Sequence, residues 1–140
     1  MSERIEHNGR LFAIIIPATF RENGIRFFTP DDFSQQLAYM CRPTGYCIEP
    51  HVHNPVPREV VYTQEVLFIR SGRVRVDFYD DDQRWVESRD LGPGDVILLA
   101  SGGHGFEILE EAEIIEVKQG PYAGDNDKTR FVGHRPESNA

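Results

Sequence analysis

Residues 45–72 read GYCIEPHVHNPVPREVVYTQEVLFIRSG, and the fold and the site are both read outward from them. His51 and His53 are one residue apart. In an extended chain successive side chains alternate sides, so the two imidazoles would share a face about 7 Å apart along the strand. Glu65 opens the apolar run EVLFI, which stops at Ser71-Gly72, a turn signal. A third imidazole is available further on, at His104 in SGGHGF. Three imidazoles and one carboxylate form a mixed nitrogen and oxygen set that suits borderline divalent cations. The plainer reading is a pair of edge histidines bonded locally and a solvated Glu65.

The same residues resemble a family pattern. A glycine, five residues, His-x-His, a spacer, a glutamate, six residues and a glycine make the first motif of the cupins, and Gly45, His51, His53, Glu65 and Gly72 fit it. The spacer from His53 to Glu65 is eleven residues here, longer than is usual in the family, which implies a longer loop and leaves Glu59 as a rival carboxylate. The second cupin motif is similar to the stretch from Gly94 through DVILL and residues 100–103 to His104. It departs from the family in Ala100, where a proline is usual, in a shorter gap before His104, and in Ile108, where an asparagine is usual. The likeness covers roughly residues 35–120. It implies an all-β, single-domain cupin (jelly-roll) β-barrel. One divalent transition metal per chain would be held by His51, His53, Glu65 and His104. Iron, manganese, nickel, cobalt, copper and zinc all suit such a set.

The rest of the chain reads as strands and turns. LFAIIIP (11–17) is a buried strand closed by proline, IRFFT (25–29) a second, and QQLAYMCR (35–42) a third by its alternation. YCIEPHVH follows as an edge or bulged strand, because Pro50 lacks a ladder donor. RVRVDFYD (73–80) puts Val74, Val76 and Phe78 on one face and Arg73, Arg75 and Asp77 on the other. The aspartates at 80–82 make a hairpin tip, RWVESRDL returns, and GPGD turns into VILLA. FEILEE and IIEVKQ are two further strands. Residues 1–10 read as a loose start, and residues 121–140 as a polar tail with little to bury. Many short strands and no firm helix predict a small barrel or sandwich, and closure of such a sheet both protects its edges and makes a lumen.

Bulk properties narrow the function. The chain has 140 residues and a formal charge of −8, which suits one domain and argues against nucleic acid. The expected divisions are 1–34, N-terminal strands and a possible dimer arm; 35–120, the barrel core; and 121–140, the tail. The two cysteines make no disulfide framework. No apolar run is long enough to span a membrane, so a cytoplasmic location with no membrane contact is expected. LFAIIIP and IRFFT lie outside the motif, and the resemblance to small cupins implies that they extend the sheet across a two-fold axis, so a homodimer with a small molecule as its partner is expected. In the last strand Glu116 and Lys118 share a face and are candidate proton-transfer or anchoring groups. A solvated outer face is the plainer reading for both. Tyr46 is a further catalytic candidate. The family resemblance implies a metal-assisted isomerase or epimerase acting on a sugar-like substrate, similar to stand-alone cupins of cell-surface sugar biosynthesis. An Fe(II) dioxygenase and a non-catalytic ligand binder are the alternatives.

Overall fold

The computed structural model describes residues 1–136. The strands are β1 (Glu3–His7), β2 (Arg10–Ile16), β3 (Gly24–Phe27), β4 (Ala38–Cys41), β5 (Glu65–Tyr79), β6 (Trp85–Leu91), β7 (Val96–Leu99) and β8 (Gly103–Lys118), followed by one 3-10 turn at Gly124–Asp127. The chain is all-β. Six strands form one strongly curled antiparallel sheet, a half-barrel in the order β1-β2-β7-β5-β6, with β8 paired to β5; β3 and β4 form a separate ribbon. Among the described residues no helix is long and apolar enough to cross a membrane.

The centre of the sheet is β5. Its first half lies between β7 and β8, its second half between β6 and β8. The β5–β8 ladder shifts register between Ile69 and Val74. Before the shift Leu67 and Ile69 are the core residues of β5; after it Val74, Val76 and Phe78 are, with Asp77 and Tyr79 also buried. The core set thus moves from odd to even positions, and both halves of β5 feed one core. Gly72 makes this possible. Its φ is +82°, and a Cβ there would strike the backbone of Glu111 and Ala112. That is the unpaired, left-handed position of a β-bulge, which kinks a strand and adds twist. The core gathers the buried residues of β5 with Ala13 and Ile15 of β2, Ile97 and Leu99 of β7, and Leu91 of β6.

Several expected elements are redrawn. Ser71-Gly72 is a bend within one strand and not its end, because β8 supplies partners on both sides of it. FEILEE and IIEVKQ belong to a single strand that starts at Gly103. The strand expected over 35–42 shrinks to Ala38–Cys41. Residues 1–10 are not loose, since β1 pairs with β2. Nor is β2 a free arm: Ile14 and Ile15, on its opposite faces, are both buried. Residues 42–64 contain no strand. Pro43, Pro50, Pro55 and Pro57 remove donors that a ladder would need. The segment following β2 is tied back to the sheet at Gln64. Its Oε1 accepts from Ser34 Oγ at 3.2 Å and from the Gln35 amide at 3.1 Å.

Candidate active site

Glu65 is the first residue of β5 and pairs with Leu99 on one side and Lys118 on the other. Gln64, buried before it, fixes where the strand begins, and its carbonyl accepts from the Gln119 amide at 3.0 Å. His104 comes from β8, just past the bend at Ser101-Gly102. Gly102 has a φ of +75°, and a Cβ there would crowd the Phe12 ring and the Tyr79 carbonyl, so the bend requires glycine. Its result is to bring His104 Nε2 within 3.9 Å of Glu65 Oε1. Glu116, on β8 beside Leu67, reaches Glu65 with a side-chain hydrogen bond. Lys118 Nζ lies 3.1 Å from Asp127 Oδ2, and Thr63 Oγ1 donates to Asp127 Oδ1 at 3.2 Å.

Thr63, Glu65, His104 and Asp127 border an open cleft of about 830 Å³, whose walls also include Tyr79, Lys128 and Phe131; Glu116 and Lys118 are not among its lining residues. Its size suits a small molecule. The tail is part of this site, contrary to its reading as a polar appendage. Phe131 meets Tyr79 edge-on with ring centroids 5.2 Å apart, and a Cβ on Gly103 would come within 3.1 Å of the Phe131 ring. The apolar pair Phe131-Val132 in a mostly polar stretch is the sequence signal for that docking. On the opposite lip Arg10 pairs with Asp81.

The electrostatics single out Glu65. Burial, then the hydrogen bond and charge of Glu116, push its carboxyl up to about 7 from an ordinary 4.5; Lys118 and Lys128 oppose the rise. A neighbouring carboxylate makes ionisation of Glu65 costly, so Glu65 keeps its proton to higher pH. His104 is shifted the other way. Burial and then the Lys128 charge lower its pKa, which favours the neutral imidazole, against the pull of Glu116. A carboxyl poised near neutrality beside a neutral imidazole can take up a proton, return it, and donate an N–H to a developing oxyanion.

The predicted residues divide. Glu65, His104, Glu116 and Lys118 come together. His51 and His53 do not join them. Both are exposed on the irregular stretch 42–64, with ring centroids 5.4 Å apart and His51 Nδ1 2.8 Å from the Glu49 carbonyl, and neither borders the cleft. Without a strand, nothing holds the i, i+2 pair toward the interior. Among the described residues no three His, Cys, Asp or Glu side chains are arranged to hold an ion, so the expected four-ligand centre does not fit this arrangement. Tyr46 is exposed on the same stretch under Arg42, whose Cζ is 4.5 Å from the ring, and does not border the cleft. The rival carboxylate Glu59 lines an adjoining hollow of about 690 Å³ with Tyr62. Tyr79, Asp127 and Lys128 are site residues that the sequence reading passed over. Arg75, placed by alternation on the face opposite Val74, Val76 and Phe78, is mostly buried and bonded to Asp77 and Glu107.

No protein-family model matches the chain, and comparisons with curated proteins and with solved structures return no match.

Proposed function

We propose that the chain is a cupin-type enzyme that moves a proton on a small, polar, sugar-like substrate, with Glu65 as the acid–base group. One observation carries this reading: a carboxyl held near 7 by burial and by Glu116 sits on the wall of an open cleft, 3.9 Å from an imidazole held neutral. Ionised Glu65 removes a proton from a carbon next to a carbonyl. The electron pair moves onto the carbonyl oxygen, which accepts from the His104 N–H. Return of the proton to the other face of the same carbon gives the epimer; its return to the former carbonyl carbon, as the adjacent hydroxyl passes its proton to the enolate oxygen and becomes the new carbonyl, gives the isomer, in both cases with no net oxidation. Glu65 holds the proton in the interval, its affinity for it raised by Glu116, and Lys118, pinned by Asp127, holds charge near both carboxyls. The curled antiparallel half-barrel supports the jelly-roll assignment. Exposed Ile25, Phe27 and Met40 on the β3–β4 ribbon support pairing with a second copy.

Solvent-deuterium incorporation tests the reaction. A panel of reducing sugars and keto acids is incubated in D₂O and read by proton NMR. Exchange at the carbon beside the carbonyl should slow by about 10²–10⁴-fold in Glu65→Gln, the usual worth of one general acid–base group. Saturable binding with no exchange across the panel would instead favour a non-catalytic ligand binder.

A second reading rests on donor chemistry. Two carboxyls beside an imidazole attract a cation as well as a proton, and His51 and His53 lie on a stretch without ladder hydrogen bonds. Elemental analysis of untagged protein distinguishes the two. Stoichiometric iron or another divalent metal, lost in His51→Ala, would favour the metal enzyme, a dioxygenase included. The same trace in both proteins would remove it.

A further inference from the structure

Lys128 and Arg130 stand out in the charge distribution. The chain carries a formal charge of −8 and most guanidiniums near the sheet are spoken for: Arg10 by Asp81, Arg73 by Asp90 and Glu110, Arg75 by Asp77 and Glu107, and Arg89 by Glu3 and Glu87. Lys118 is taken by Asp127. Lys128 and Arg130 both border the Glu65 cleft, and among the described residues neither makes an ion pair or a side-chain hydrogen bond. Of the acids that line the cleft, Asp81 and Asp127 are each bonded to another cation, Arg10 and Lys118, and Glu65 lies beside His104. Lys128 acts on Glu65 and Asp127 only through its charge. Among the described residues, an acidic protein thus has two cations without a direct ion-pair partner on one wall of this cleft.

We infer that the ligand of this cleft carries an oxyanion, a phosphate or a carboxylate, seated against Lys128 and Arg130, with its neutral remainder toward Glu65 and His104. The guanidinium of Arg130 can meet two oxygens of either group at once, and the Lys128 ammonium adds a compact charge. This inference rests on the reading of the cleft as a substrate site and narrows its substrate to anionic sugar-like molecules.

The test is a binding comparison by amide NMR on the full chain, using glucose, a glucose monophosphate and glucuronate as probes. The two anions should shift the amides of residues 102–105 and 127–131 saturably, and glucose should bind more weakly or not at all. Lys128→Gln with Arg130→Gln, both exposed and outside the core, should weaken anion binding by about tenfold, equivalent to about 1.4 kcal/mol. Added salt should weaken it in the parent, since exposed charges are screened. A response to phosphate alone or to glucuronate alone identifies which oxyanion the site prefers. Glucose binding as well as the anions, no anion binding, or equal binding by the double variant would each overturn the inference. Carbon NMR titration of Glu65 in the same samples separates the two claims. Titration near 4.5 with anion binding intact would leave the anion site standing and remove the proton-transfer reading; titration near 7 without anion binding would do the reverse.

Discussion

His104 Nε2 lies 3.9 Å from Glu65 Oε1, although Glu65 opens β5 and His104 is paired with Phe78 near that strand's far end. Two groups at opposite ends of one ribbon can meet only if the ribbon curls back on itself. The bulge at Gly72 supplies the kink, and β7, bonded to the beginning of β5, delivers the chain into the bend before His104. The candidate site is the place where the curled ribbon returns to its own start.

Replacing Gly72 by alanine tests that account. The new Cβ would collide with the Glu111 carbonyl at a φ of +82°, so the bulge must open. A loss of about 2–4 kcal/mol is expected in urea denaturation. If the variant remains folded, the Glu65 carboxyl should titrate nearer its ordinary value, because Glu116 and the burial that raise it are both set by the curl.

The pH dependence of stability should show two opposed slopes. Folded Glu65 holds its proton more tightly than unfolded Glu65, so its contribution is intact below 4.5 and is lost as pH rises toward about 7. His104, lowered from 6.5 in the fold, does the opposite: stability falls as pH drops below 6.5 toward the folded value. Glu65→Gln removes the first slope and keeps the second. The variant should match the parent near pH 4 and exceed it above pH 7 by on the order of 1–3 kcal/mol, discounted for partial solvent contact. Denaturant midpoints measured across this range check it.

Asp77 should be a large structural contributor. It is buried, accepts from Arg75 Nε at 2.9 Å and Nη2 at 3.2 Å and from Ser88, and is held below the ordinary carboxylate range despite burial that opposes this. Its contribution is present above pH 3.8 and is lost as pH falls through the lowered value. Asp77→Asn leaves the mostly buried Arg75 with Glu107 alone and should cost about 2–4 kcal/mol at neutral pH. Its acid-unfolding limb should be flatter than the parent's.

The histidines of the irregular stretch should be silent in stability. His51 and His53 are exposed and touch chiefly each other and the Glu49 carbonyl. Substituting both by alanine should change the unfolding free energy of metal-free protein by less than about 0.5 kcal/mol. A larger loss would place these rings against the body of the protein.

Alternation made the strands legible. Val74, Val76 and Phe78 enter the core as their spacing requires, although Asp77 on the other face is buried too, and the apolar LFAIII run is the buried β2. Local chemistry also marked the GPGD turn, where Asp95 Oδ2 accepts from the Gly92 amide at 2.7 Å. Gly72 was visible as a glycine with a purpose, but a turn and a bulge use the same residue for the same reason, its tolerance of positive φ. Only the presence of β8 along both halves of β5 tells them apart. The tail shows the same limit: Phe131 is one aromatic among polar residues until Tyr79 and Gly103 provide its seat.

The sequence by itself determined an all-β chain, the residues that would face a core, and Glu65, His104, Glu116 and Lys118 as chemistry worth watching, because side-chain periodicity and residue type are local properties. Tertiary structure decided that these four meet, that Asp127 and Lys128 join them from the tail, and that His51 and His53 stay outside. Proximity between residues far apart in the chain depends on how the sheet curls and on which backbone segments find ladder partners. Prolines and the lack of a partner strand left residues 42–64 without that framework.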